Sequence, residues 1–426
     1  MVTKLTRRAL LAGASLPAAS AAGAAGNGIT REVFLASPRK GVAVMASAWY
    51  THKTGGAMVS LEQRWSRSDT VDMAYYRRSD DHGRTWSAPE PKATGEKRPQ
   101  GMMRRHPRCG YLDPQSGRLI EFWNEGVLPS DDPLEGMRQW NIYYTIDGGA
   151  VTQVIHRGKE FNARHPLPGV WTGKNSVMIG DMASRPFTRP GDGAILVPCG
   201  IAPLAAGSSQ TLYNPTGAYT WHDAAFLIGR WNDKRHLEWE MSDLIQADPQ
   251  RATRGMDEPT IAALADGRLL TVMRGSNDKR PELPSYRCQA ISQDGGKSWT
   301  KPAPWTFDTG EAFFSPSACS QLYPHPATGR LFWLGNIVPE NPRGNRPRYP
   351  FVMGEVDRQS GLLRKRSIRV VDDKQPEDDP LLTLSNFFAR EDRETGGIAL
   401  HMTRLVAAPD GWRGDAMLYR IQGSLL

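Results

Sequence analysis

Carboxylates, arginines and a histidine cluster at a few places in this chain. Asp257-Glu258-Pro259-Thr260 leads into the turn Asp266-Gly267-Arg268-Leu269, and the strand after it ends on Met273-Arg274. Arg64-Trp65-Ser66-Arg67-Ser68-Asp69 stands ahead of a strand beginning near Asp72. Arg104-Arg105-His106-Pro107-Arg108 sets a histidine among arginines. Carboxylates serve as general acids, bases or nucleophiles, guanidinium groups grip anions through paired hydrogen bonds, and imidazole titrates near neutral pH. Asn345-Arg346-Pro347-Arg348 adds cations, and Leu384-Ser385-Asn386-Phe387-Phe388 offers a carboxamide, a poor nucleophile but a good hydrogen-bond partner. Plainer readings stand beside these: Glu258 as a solvated strand-end acid, Arg348 in a solvated loop, His106 packed against Pro107 and a tryptophan. No group of residues has metal-ligand spacing, and neither metal nor cofactor is implied.

Short strands and tight turns must position these residues. Ser79-Asp80-Asp81-His82-Gly83-Arg84-Thr85-Trp86 reads as a hairpin in which Ser79 and Asp81 bond the turn's own amides, Gly83 supplies a positive φ and Trp86 anchors the whole. Ser292-Gln293-Asp294-Gly295-Gly296-Lys297-Ser298-Trp299 is a near copy, and Thr145-Ile146-Asp147-Gly148-Gly149 a degraded one. A second series of turns, typified by Ser116-Gly117-Arg118-Leu119 and Gly267-Arg268-Leu269, recurs at glycines 41, 117, 193, 267, 329 and 397, in steps of 62 to 76 residues. Such steps suit four-stranded propeller blades, and six phases imply six blades. Within a blade the inner strand precedes the glycine turn, and the octapeptide hairpin caps the outer strands. Segments 87–104, 157–170, 202–219 and 338–348 read as loops over the faces, and only the region near 230–247 looks helical, in poor register. Catalytic residues would then meet where the inner strands end around the axis.

The pattern Ser-x-Asp-x-Gly-x-Thr-Trp resembles the Asp-box repeat of the sialidase superfamily. The resemblance implies an all-β fold, a six-bladed β-propeller of the sialidase type, and a carbohydrate partner that is anionic or otherwise polar. Sialidases hold the substrate carboxylate with three arginines, use an Asp as acid/base and a Glu-activated Tyr as nucleophile. By that likeness Glu258 corresponds to the activating glutamate, Arg274 and Arg348 to two triad arginines, and Asp69, with Asp72 as alternative, to the acid/base. The superfamily's Arg-Ile-Pro is absent, leaving Arg39 and Arg64 as candidates for the first arginine. The expected nucleophile is absent as well: Asn386 lies in its place, and no tyrosine occurs between Tyr349 and Tyr419.

The remaining features bound the reading. Lys4, Arg7 and Arg8 precede an Ala- and Gly-rich apolar run, so residues 1–25 read as an export signal resembling the twin-arginine type, implying a periplasmic or secreted protein and a single domain over 26–426. Without those three cations the net charge falls from +8 to +5, spread along the chain, so nucleic-acid binding is not indicated. No later stretch is apolar and long enough to span a membrane. Cys109, Cys199, Cys288 and Cys319 allow three disulfide pairings or none. Three functions fit: a glycoside hydrolase using Asp69 and Glu258, a carbohydrate-binding propeller, and a polysaccharide lyase using His106 and an arginine.

Overall fold

The computed structural model describes residues 28–136, 140–154, 176–206, 208, 211–233 and 236–426. Six small antiparallel sheets of four or five strands form a six-bladed β-propeller. The innermost strands are Ala43–Tyr50, Gly101–Leu112, the interrupted pair Val177–Met178 and Phe187–Thr188, Asp257–Ala263, Gln321–Pro324 and Leu382–Asp392. Ala43–Tyr50 is buried at every position, as a strand with both faces covered must be. At the opposite extreme, the outermost strand Glu90–Ala93 of the same blade is exposed throughout and carries Glu, Pro and Lys, which suit an edge.

Blades adhere through apolar wedges. Trp305, Phe313 and Trp333 pack together between blades four and five, and Phe351 meets Phe387 at 4.7 Å between blades five and six. The rim tryptophans also reach outward: Trp86 of blade one packs edge-on to Phe34 at 5.9 Å, and Trp299 of blade four lies 4.8 Å from Phe226 of blade three. Blade six closes the ring with strands from both ends of the chain, since Ile29–Leu35 pairs antiparallel with Ala416–Ile421.

The sequence phases hold for five blades and fail for the first. Gly117, Gly193, Gly267, Gly329 and Gly396-Gly397 lie between first and second strands, but Gly41 precedes its inner strand and bridges Trp412 of blade six. The matching turn in blade one contains Gly55, at φ 80°, between Tyr50 and Met58. Segment 87–104 is not all loop, for it contributes the short strands Glu90–Ala93 and Gly95–Arg98. The described residues near 230–247 are strand and loop, with Leu237–Met241 pairing against Asp223–Trp231. All four cysteines are unpaired. Residues 1–25 and 157–170 lie outside the described residues.

Candidate active site

Every innermost strand runs from the same end of the axis, and a cavity of about 370 Å³ opens where they begin. Several of its polar residues arrive there through defects in the innermost strands. In blade four Asp257 pairs with Arg274 and Thr260 with Val272, so one extra residue is inserted, and Glu258 takes the left-handed conformation at φ 46°. In blade six the register slips between Ser385 and Phe387, and Asn386 sits at φ 59°. Blade two slips between Pro107 and Gly110, which turns Arg108 to the axis. Such bulges re-aim a side chain that a regular strand would point into a neighbouring blade. A left-handed non-glycine residue costs about 1–2 kcal/mol, so these are strained positions held by their surroundings.

Blade three goes further. Its innermost strand is broken after Met178, and Ile179-Gly180-Asp181 crosses the axis before pairing resumes at Phe187. Buried Asn124 of blade two clamps the crossing: its Oδ1 accepts from the Ile179 N–H at 2.9 Å, and its Nδ2 donates to the Ile179 carbonyl at 2.7 Å. Asp181 accepts from the Met182 N–H at 2.7 Å and from Asn386 Nδ2. Gly180 is required by close approach, because a Cβ there would fall 2.7 Å from Glu258 Cγ.

The carboxylates sit in contrasting fields. Burial raises the pKa of Glu258, neighbouring Asp257 and Asp181 add to the effect, and Arg274 with its Nε 3.1 Å away opposes it. Asp257 is buried too, but His222 at 3.4 Å and Arg274 at 2.8 Å prevail and hold its carboxyl well below the ordinary range. Two adjacent residues are therefore driven apart, one toward the acid form and one toward the carboxylate. Arg348 donates to the Ser317 carbonyl at 2.7 Å and lines the cavity beside Arg108, Arg254, Arg274 and Arg346.

Of the residues singled out from sequence, Asp69, His106, Glu258, Arg274, Arg348 and Asn386 all line this cavity. Asp69 occupies an exposed hairpin tip at φ 52°, bonded by the Ser68 hydroxyl at 2.8 Å. Its charge, after burial, helps raise the pKa of the Tyr219 phenol. His106 is buried 4.6 Å from the Trp140 ring, and burial followed by Arg108 and Arg104 lowers its pKa to about 3, so it stays neutral near pH 7. Arg64 does not line the cavity. It pairs with Glu62 at 2.8 Å and lies over the Tyr75 ring, and neither Arg39 nor Asp72 lines the cavity. Sequence reading missed Asp181, Arg108, Asp257, His222, Arg254 and Tyr219. Among the described residues no cluster has the makings of a metal site.

No family model matches the chain, and no curated protein resembles it in sequence. Solved structures do share the fold. A Dyadobacter fermentans protein of unknown function aligns at TM-score 0.59 and 13% identity, over 93% of this chain and 100% of its own. NanB sialidase of Streptococcus pneumoniae aligns at TM-score 0.57 and 12% identity, over 93% and 71%. The GH93 α-L-arabinofuranosidase of Fusarium graminearum, solved with arabinobiose, aligns at TM-score 0.52 and 13% identity, over 91% and 96%.

Proposed function

We propose that the protein is a glycoside hydrolase of the sialidase-like propeller type, acting at the axial mouth on an acidic or otherwise polar sugar. The observation that carries the reading is the juxtaposition of Glu258, biased toward its acid form, with Asp181 in the same cavity. A carboxyl group that keeps its proton, with a second carboxyl group in the same cavity, is what cleavage of a glycosidic bond requires. In this scheme Glu258 delivers a proton to the leaving oxygen. Asp181, oriented by Asn386 and the Met182 amide, serves as the base or nucleophile opposite. Asp69 and Tyr219 stand at the lip, where they meet the departing part of the substrate. Five arginines line the cavity against four acids, Asp69, Asp181, Asp257 and Glu258, which favours an anionic sugar. The octapeptide hairpins are read as Asp-box repeats, and residues 1–25 as an export signal that would place the enzyme in the periplasm or outside the cell.

Fold likeness to enzymes that cleave sialosides and arabinofuranosides guides the choice of assay. Purified protein incubated with aryl α-L-arabinofuranosides, sialosides and uronides should release the aryl group from at least one, and Glu258→Gln should abolish release. Binding without turnover in the wild type would make this a carbohydrate-binding propeller. A folded protein inert toward all of them, with no binding, overturns the proposal.

A further inference from the structure

A second cavity, of about 510 Å³, lies at the opposite end of the axis, where the innermost strands finish. It is lined from Trp49 of blade one, Tyr111 of blade two, Arg185 of blade three, Tyr323 of blade five, and Phe388 and Arg390 of blade six. None of these belongs to the site described above.

Two of its cations lack counter-charges. Arg185 makes no ion pair with any described residue. Its guanidinium is held between two aromatic rings, 5.8 Å from the centre of Tyr111 and 5.9 Å from that of Phe388. Arg390 is 5% exposed and donates to the Glu391 carbonyl at 2.8 Å, with no carboxylate in ion-pair contact among the described residues. The nearby acids are already engaged, Glu391 by Arg393 and Asp392 by Arg420. Burying a cation without a partner carries a penalty of several kcal/mol unless something neutralises it.

Donors without acceptors point the same way. Arg185 Nε, Arg390 Nε, Tyr323 Oη and Trp49 Nε1 are all buried with no hydrogen-bond partner. Tyr323 and Trp49 are 2% and 4% exposed, and burial raises the Tyr323 pKa, so its hydroxyl remains a donor. Natural structures seldom leave such groups unsatisfied, and four around one cavity form a cradle of donors, while the carboxylate that lines it, Glu391, is taken up by Arg393. The walls between them are aromatic faces, which suit a flat apolar body.

We propose that this cavity binds a small organic anion, a carboxylate or sulfate-type head carried on a flat apolar body, held by Arg185 and Arg390. The head would sit between the two guanidinium groups and accept from Tyr323 and Trp49, while the body packs on Phe388 and Tyr111. Paired guanidinium donors confer the affinity for charge, and the rings select an organic anion over an inorganic one.

Ligand-observed NMR titration of the purified protein tests this, with benzoate, benzenesulfonate, inorganic sulfate and uncharged benzyl alcohol as probes. Benzoate or benzenesulfonate should bind about tenfold or more tightly than both sulfate and benzyl alcohol. Arg185→Met and Arg390→Met should each weaken the organic anion by about tenfold or more, whereas Arg348→Met at the opposite mouth should leave it unchanged. Arg185→Lys, which keeps the charge and most of the packing, should lose less than Arg185→Met, so the test survives if Arg390→Met fails to fold. Equal binding of benzyl alcohol, equal binding of sulfate, no binding of any anion, or binding lost in Arg348→Met and kept in Arg185→Met would each overturn the proposal.

Discussion

The rim hairpins and the axial mouth use the same backbone device for different ends. His82 at φ 62° and Asp147 at φ 51° are left-handed in rim turns, while Asp69, Glu258 and Asn386 are left-handed at the mouth. At the rim the conformation is repaid locally. Ser79 Oγ accepts from the Gly83 amide at 2.9 Å, Asp81 from the Thr85 amide at 2.9 Å, and the Ser292 and Asp294 pair repeats the scheme at 2.7 and 3.0 Å. Bonds from Thr85 hold the Asp81 carboxyl below its usual range; at Asp294 partial burial resists, but Ser298 and Ser292 bring it down to about 2. At the mouth the strain holds a carboxyl group among distant charges, and burial drives Glu258 the other way. Acid residues that satisfy themselves build the fold, and acid residues left hungry for a proton are available for chemistry.

The sharpest way to break this contrast is a pair of substitutions. Glu258→Gln should lower kcat by about a thousandfold or more with little change in melting temperature. Asp81→Ala should leave kcat untouched while lowering the melting temperature. Equal effects on both readouts would erase the distinction. Next in size is Gly180→Ala, whose Cβ would collide with Glu258 Cγ and Ser184 Oγ, each at 2.7 Å. It should cost about a hundredfold in kcat, since displacements near 1 Å at a reacting group have that effect, and circular dichroism should show an unchanged fold. Asp294→Ala, which strips an amide cap from a rim turn, should lower stability by about 1–2 kcal/mol in urea titration. The smallest effect concerns pH. Asp294 has a folded pKa below its ordinary 3.8, so its stabilisation is present above about pH 4 and fades as pH falls toward 2. Stability of the wild type should drop across that window more steeply than stability of Asp294→Ala, as followed by thermal melts.

Legibility in the sequence followed this division. The rim repeats are local, eight residues bonded largely within the segment, and they disclosed the kind of fold, while the recurring glycine turns, equally local, disclosed the blade count. Glu258 and Arg274 were legible because a hairpin joins them. Asp181 was not, since its partners Asn386 and Glu258 come from other blades and no motif surrounds it. The missing apolar run ahead of Gly193 was a trace of the broken strand. Arg108 had a clue in Pro107: a proline inside an inner strand marks a bulge, just as Pro259 does beside Glu258. Arg64 misled because an arginine near the right place in sequence found Glu62 two residues away. Blade one was misphased because Gly41 belongs to the joint with blade six, a contact between the ends of the chain.

That joint has a kinetic consequence. Ile29 pairs with Ile421, so the first described strand has no sheet to join until the last one exists. During synthesis Ile29–Leu35 must wait, unpaired, while five blades' worth of chain follow it. Contacts this distant in sequence slow folding far more than they alter final stability. Closure of the ring therefore waits on the strand Ala416–Ile421, which makes the pairing within blade six a late step in folding.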